Sequence, residues 1–417
     1  MEKLFWGIIV VWVILRITLM TLSINGNQQP EAREKVLKYF TEDDVKTGRI
    51  YALRGFYSRM LLPFFTVALL LVMMKFGIIE QFSSKISEIA GKDSFWLSNT
   101  LFIIGFSIFL HLISLPFDYY LGHISETEFG FSNQTSVGWF IRYMKSFAVS
   151  LIIETVSLMM VLWFFKTFQR HWPIIVPIGT TCFGIFMSIL APYIITPIFY
   201  TQKPLSEGTL KEKILKIADK SGISVEGIYE VDESKYSKHT NAYFSGLFSQ
   251  KRIVLYDNLI KNHTEDETSL IFAHEAGHWL HDHVFKGISF GFLGSIAACI
   301  FLWYAFPFLQ NEKLFCLKEL HSAQNIPFTY IIFTVFSLFF APIEAQISQN
   351  FERQADLKSL ELTGLKKAFI DAEIRLAKDN KSELLPHPFR VFWLYSHPAA
   401  IDRIEMGEKF IITQKQK

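Results

Sequence analysis

Seven stretches of about twenty mostly apolar residues set the pattern of this chain, at 4–22, 60–79, 95–115, 147–168, 174–200, 284–309 and 328–348. As helices rising about 1.5 Å per residue, each spans the roughly 30 Å hydrocarbon core of a bilayer. The first is expected to remain a span. Its apolar core is too long for a cleavable leader, and no small-residue cleavage site precedes the charged stretch at Glu31. The one sizeable polar stretch lies between the fifth and sixth runs. It opens with an amphipathic helix over 208–220, whose Leu210, Ile214, Leu215 and Ile217 form an apolar stripe. Strand-like runs follow at 227–231, 242–248 and 252–256, the last two joined by a short turn at Ser249-Gln250.

The pattern predicts a mainly α protein, a polytopic membrane helical bundle of about seven transmembrane helices with a small α+β cap. Four segments are expected: 1–200 with spans one to five and their loops, 201–283 with the α+β segment, 284–350 with spans six and seven, and 351–417 as a helical tail. Composition agrees: of 417 residues 50% are hydrophobic and 19% charged, with a mean hydropathy of +0.26, more apolar than a soluble protein of this size. Lys and Arg gather in the first loop (Arg33, Lys35, Lys38, Lys46, Arg49, Arg54, Arg59), in 204–282 and after Glu352. They are sparse near Lys85, Lys166, Arg170, Lys313 and Lys318, which puts the N-terminus outside and the polar stretch in the cytoplasm. A net charge of +2 gives no reason to expect a nucleic-acid partner. Cys182, Cys299 and Cys316 are dispersed and odd in number, so they read as packing residues. Arg16, His111, Asp118, Glu154 and Glu344 lie in or beside the apolar runs, where they either line a water-filled interior or pair between helices.

The chemistry is concentrated in His274-Glu275-Ala276-Gly277-His278. Positions i and i+4 of a helix share a face, so His274 and His278 can aim one imidazole each at a single zinc ion. Glu275 stands beside them, placed to take the proton of a water whose pKa the ion lowers to about 7. The helix itself is signalled by Thr264-Glu265-Asp266-Glu267, a capping box that puts acids in the first turn. A catalytic zinc site needs a third protein ligand and an open position. In 350–356, Glu352 and Asp356 share a helix face, Glu352 to complete the coordination and Asp356 to accept the free ring N–H of a ligand histidine. A solvated acidic face paired with Arg353 is the plainer alternative. His281 and His283 sit off the His274/His278 face and are left outside the metal site.

With its flanks, this constellation resembles the integral-membrane type I CAAX prenyl proteases, the a-factor-converting and lamin-processing zinc metalloproteases. Besides the pentad and the Glu352/Asp356 pair, the matching pieces are Leu115-Pro116-Phe117, the stretch 128–135, Asn241-Ala242-Tyr243-Phe244, the stretch 251–255, and Tyr395-Ser396-His397-Pro398 with Arg403. The resemblance covers most of the chain and implies a large intramembrane chamber. It also implies that His397 and Arg403 face the zinc and steady the tetrahedral intermediate. Residues Asn241, Ala242 and Tyr243 become candidate substrate-binding positions on an edge strand that pairs with an extended peptide; an ordinary hairpin fits the composition equally.

The expected function is a zinc metalloendopeptidase holding one Zn2+ per chain on His274, His278 and Glu352, with Glu275, His397 and Arg403 in catalysis. Its partners are the bilayer and a peptide or protein substrate that the resemblance makes a prenylated CAAX terminus. The end of the sequence, Gln414-Lys415-Gln416-Lys417, lacks paired retrieval lysines, so a bacterial inner membrane is expected over the endoplasmic reticulum. Quality-control cleavage, similar to membrane metalloproteases of the HtpX type, is one alternative; a transporter with a coincidental HExxH is the other.

Overall fold

Every apolar run lies on a long helix in the computed structural model, which describes residues 2–91, 94–245, 252–312, 315 and 317–411. The expected turn at Ser249-Gln250, the strand end 246–248, and residues Lys251, Lys313, Cys316 and 414–417 lie outside the described residues. The chain begins with α1 (Glu2–Asn25), α2 (Pro30–Leu37), α3 (Glu42–Lys75) and α4 (Ile78–Ala90). Next come α5 (Phe95–Tyr119), carried by a wider helical turn into the single turn α6 (Glu126–Glu128), then α7 (Ser136–Thr167) and α8 (Trp172–Phe199). The polar stretch holds β1 (Gln202–Pro204), α9 (Thr209–Lys220), β2 (Gly227–Val231), β3 (Ala242–Ser245), β4 (Arg252–Tyr256), α10 (Asp257–Asn262) and α11 (Glu265–Leu280). After it come α12 (His283–Gln310), α13 (Ile326–Thr363), α14 (Lys366–Asp379), α15 (Pro388–Leu394) and α16 (Ala400–Lys409).

Among the described residues seven helices are long and apolar enough to cross a membrane, and in none is more than 28% of the apolar window buried inside the molecule. A water-soluble bundle would bury such windows; here most of their surface faces outward, as it does where lipid is the solvent. Three spans differ clearly in extent from the apolar runs, one of them α7, which already begins at Ser136. The second span starts at Glu42, because Thr41 caps it: the Thr41 hydroxyl accepts from the Asp44 N–H, and the Asp44 carboxylate accepts from the Thr41 N–H at 2.9 Å. It stops at Lys75, ahead of Gly77, whose φ of +66° breaks the helix before α4 starts. The last span, α13, does not end with its apolar run but continues unbroken from Ile326 to Thr363, through the expected segment boundary at 350.

Two of the polar groups singled out inside the spans, Arg16 and Asp118, find partners there. Arg16 Nη1 donates to Met60 O at 2.5 Å and the guanidinium sits 4.4 Å from the Trp12 ring. Ser114 and Tyr143 hydroxyls donate to Asp118 at 2.7 and 3.3 Å.

The sheet runs in the order β1-β2-β4-β3, so β3 is an edge strand. β2 and β4 are parallel, and β3 is antiparallel to β4 with Ala242 opposite Leu255. The short β1, antiparallel to β2, lacks the length and alternation that would signal a strand in the sequence. The sheet packs on α11 through an apolar cluster that includes Ile214, Ile253, Leu255, Leu259, Phe272 and Ala276. Phe244 of β3 reaches α11 directly, its ring 5.6 Å from Phe272 and 6.2 Å from Trp279.

On its other side α11 lies against α13, and Gly277 sets how close the two come. A Cβ there would stand 2.8 Å from the Ala355 Cα and 2.9 Å from the Ala355 carbonyl oxygen, backbone atoms that cannot swing aside. Gly277→Ala should therefore force the helices apart and destabilise the fold by about 1–3 kcal/mol. Thermal unfolding of the full chain in detergent, followed by tryptophan fluorescence, checks this; an unchanged midpoint would refute the close-approach argument.

Candidate metal centre

Thr264 caps α11 as the sequence suggests: its hydroxyl accepts from the Glu267 N–H, and Glu267 returns a bond to the Thr264 N–H at 2.9 Å. One turn apart on that helix, His274 and His278 bring their Nε2 atoms within 3.2 Å of each other. Across from them on α13, Glu352 places Oε2 3.2 Å from His274 Nε2 and Oε1 3.4 Å from His278 Nε2. Among the described residues these three form the group able to share a metal ion.

The separations decide the fit. Ligand atoms about 2.0–2.1 Å from a tetrahedral ion stand about 3.3 Å from one another. The three measured separations are of that size, those to Glu352 running to its two different oxygens. Glu352 Oε2 is buried without a hydrogen-bond partner, the state of an oxygen whose partner is a cation. The histidine tautomers agree as well. His274 Nδ1 lies 2.7 Å from Asp356 Oδ1; the carboxylate only accepts, so Nδ1 carries the proton and Nε2 is left with its lone pair.

The electrostatics follow from burial and these contacts. Burial works against a charge on His274, but the bond and charge of Asp356 outweigh it and lift the imidazole to about 10 in the metal-free protein. His278 goes the other way, to about 4, through burial and the neighbouring His274. Burial pushes the carboxyl of Glu275, next to His274 on α11, up to about 7.

His397 is brought in by the tail. Gln349 on α13 donates to the carbonyls of Val391 and Tyr395, both at 2.9 Å, and so pins the end of α15. The Tyr395 hydroxyl donates to the buried Glu383 at 2.7 Å, which Arg390 also holds. His397 Nε2 thereby comes within 3.5 Å of Glu352 Oε2, with 58% of its side chain exposed, open to an incoming ligand. Arg403, on α16, takes a different place. Its Nε and Nη2 donate to Asp356 at 2.8 and 2.5 Å and its Nη1 to Glu373 at 2.9 Å. The guanidinium is spent on two carboxylates behind His274 rather than aimed at the ion site. Burial opposes its charge, yet Glu373 and Asp356 raise its pKa further. Asn241, Ala242 and Tyr243 lie at and on the edge strand, with the Asn241 side-chain oxygen accepting from the Ala242 N–H at 2.9 Å.

Two supporting residues, Gln349 and Glu373, escape the sequence reading, and a third, His283, is one that helical phase leaves outside the site. His283 stands with its Nδ1 2.9 Å from His278 Nδ1. Gln349 lies three residues before Glu352, a spacing that puts both on one helix face and could have flagged it. Nothing in the sequence ties Glu373 to Arg403.

Residues 204–409 match the model of peptidase family M48, and residues 22–201 match the CAAX prenyl protease N-terminal model of five membrane helices. Over 329 residues the chain is 30% identical to a probable CAAX prenyl protease 1 of Schizosaccharomyces pombe, covering 76% of this chain and 68% of the relative. With CAAX prenyl protease 1 of Saccharomyces cerevisiae it shares 30% identity over 70% of this chain and 68% of that one. With the metalloprotease YhfN of Bacillus subtilis it shares 28% over 75% and 74%. The fold is that of the crystal structure of S. mikatae Ste24p, with a TM-score of 0.82 at 24% identity over 95% of this chain and 97% of that chain.

Because His274 keeps its proton up to about pH 10 without metal, an ion that binds at pH 8 must expel it. Titration calorimetry of the metal-free protein in buffers of different ionisation enthalpy should read about one proton released per ion, with affinity rising as pH rises toward 10. Proton-neutral binding at pH 8 would contradict the raised pKa of His274.

Proposed function

The chain belongs to peptidase family M48 and is a multi-pass membrane metalloendopeptidase, and from that premise we propose that its metal is one zinc ion held by His274, His278 and Glu352 and that it processes prenylated CAAX carboxyl termini. The observation that carries the metal assignment is the convergence of donor atoms: two Nε2 atoms 3.2 Å apart, one 3.2 Å from Glu352 Oε2 and the other 3.4 Å from Glu352 Oε1. The substrate class rests on the relatives' names and on the amino-terminal family match.

A zinc ion at this position supplies a Lewis acid for the scissile carbonyl and a water of lowered pKa. Glu275 takes the proton of the attacking water and hands it to the departing amide nitrogen. A carboxyl raised by burial to about 7 suits both halves of that transfer. His397 donates a hydrogen bond to the developing oxyanion, a contact whose loss costs about 3–4 kcal/mol in comparable sites. Arg403 works at one remove, holding Asp356 ionised and in line with His274. The edge strand at Asn241, Ala242 and Tyr243 receives the extended peptide by main-chain pairing beside α11. The density of Lys and Arg on the loops expected on one side with α11 supports a site on the cytoplasmic face.

A second reading, cleavage of unprenylated membrane proteins in a bacterial inner membrane, draws on the Bacillus subtilis relative. The two part company on substrate. Purified chain incubated with a farnesylated CAAX peptide and its unprenylated twin, with products read by mass, should cleave the farnesylated one at least about tenfold faster, as about 1.4 kcal/mol of lipid recognition requires. Equal rates favour the second reading. Glu275→Gln should keep zinc at one ion per chain while hydrolysis falls at least about a hundredfold; retained turnover removes Glu275 from the mechanism.

A further inference from the structure

The two histidines of the metal centre are backed by different groups. His274 leans on the carboxylate of Asp356, but His278 Nδ1 lies 2.9 Å from the Nδ1 of another imidazole, His283. His283 opens α12, only five positions beyond His278. It reaches back because Asp282, between the two helices, takes a left-handed conformation with φ of 55°, one that a non-glycine residue adopts at a cost. Once there it is clamped. Its ring stacks on Phe351 at 4.1 Å and 8°, it is buried, and its Nε2 lies 3.0 Å from the side-chain oxygen of Gln354. Phe351 and Gln354 flank Glu352 on α13, so the helix that supplies the third ligand also holds the support of the second.

The proton positions follow from the far end of this chain of contacts. An amide oxygen only accepts, so His283 Nε2 carries a proton and its Nδ1 presents a lone pair. His278 Nδ1–H must then donate to His283, which leaves His278 Nε2 unprotonated and directed at Glu352 and His274. Turning the Gln354 amide over reverses every step: His283 would donate to His278 and leave a proton on the nitrogen that faces the ion site. Metal ligation and the orientation of Gln354 are thus one condition.

We propose that His283 is a positioning residue for the metal ligand His278, through the relay Gln354 to His283 to His278, and that it sets the affinity of the centre for zinc. The inference rests on the metal-centre reading given above. A neutral imidazole suits the role because it fixes the tautomer without adding a second buried anion beside Asp356. The ion's positive charge is then left for the substrate carbonyl.

The test uses the full chain in detergent, stripped of metal, with the zinc dissociation constant read by chelator competition. His283→Ala should weaken zinc binding by about tenfold to a hundredfold. His283→Asn, whose side-chain oxygen can stand where Nδ1 stood, should recover most of that loss, and Gln354→Leu should fall between wild type and His283→Ala. The cobalt-substituted wild type and His283→Asn should share one visible spectrum while His283→Ala differs, and at saturating zinc His283→Ala should lower kcat with KM unchanged. A purely packing role would move the thermal midpoint of the metal-free protein alike in Ala and Asn variants and leave the cobalt spectrum alone. His283→Ala that binds zinc as tightly as wild type, or Ala and Asn variants equally weak, overturns the relay. Should His283→Ala fail to fold, Gln354→Leu with wild-type zinc affinity overturns it instead. Wild type that binds no zinc removes the metal centre itself, a failure distinct from these.

Discussion

Three Lewis bases meeting within 3.2–3.4 Å in a largely buried space is the constraint on which this molecule turns. Two imidazole lone pairs and a carboxylate repel one another, and burial removes the water that would screen them. Without an ion the proton on His274 relieves that repulsion; with one bound, the cation would, and either way rigid groups must stand behind each base. The rigid groups are visible. Asp356 stands behind His274, His283 behind His278, and the backbone of α13 behind Glu352.

That helix does several jobs because of its phase. Gln349, Glu352 and Asp356 recur at intervals of three and four, so they share one face: Gln349 holds the tail that carries His397, Glu352 faces the two histidines of α11, and Asp356 holds His274. Ala355, one position before Asp356, is where Gly277 of α11 comes to rest. Since α13 begins as a candidate membrane span, Glu352 and Asp356 stand on one continuous helix that runs from Ile326 to Thr363. A site on a loop would lack that stiffness.

What could be read from the sequence was local. The HExxH spacing, the capping box and the seven apolar runs each lie within about twenty residues, and helix periodicity alone converts them into geometry. Glu352 and Asp356 were legible for the same reason, as a pair one turn apart. The contacts that escaped are those made by packing of distant elements. Glu373 meets Arg403 because α14 and α16 fold against one another. His283 meets His278 because Asp282 adopts a left-handed conformation that nothing in the residue type demands. By helical phase His283 falls off the His274/His278 face only if α11 continues to it; the helix ends at Leu280. The helix α13 outran its apolar run because polar residues on it are satisfied by the cap rather than by lipid.

The place of Arg403 follows from the same charge balance. An arginine aimed at a divalent ion would oppose its binding, since like charges a few ångströms apart in a poorly screened space repel strongly. Turned instead onto Asp356 and Glu373, the guanidinium keeps the acceptor of His274 anionic and oriented while its own charge is met by two carboxylates. Behind His278 no such cation is needed, because His283 accepts without being charged. The centre therefore uses an ionic brace on one ligand and a neutral one on the other, and the second spares the buried space a further pair of opposite charges, whose desolvation costs several kcal/mol per ion.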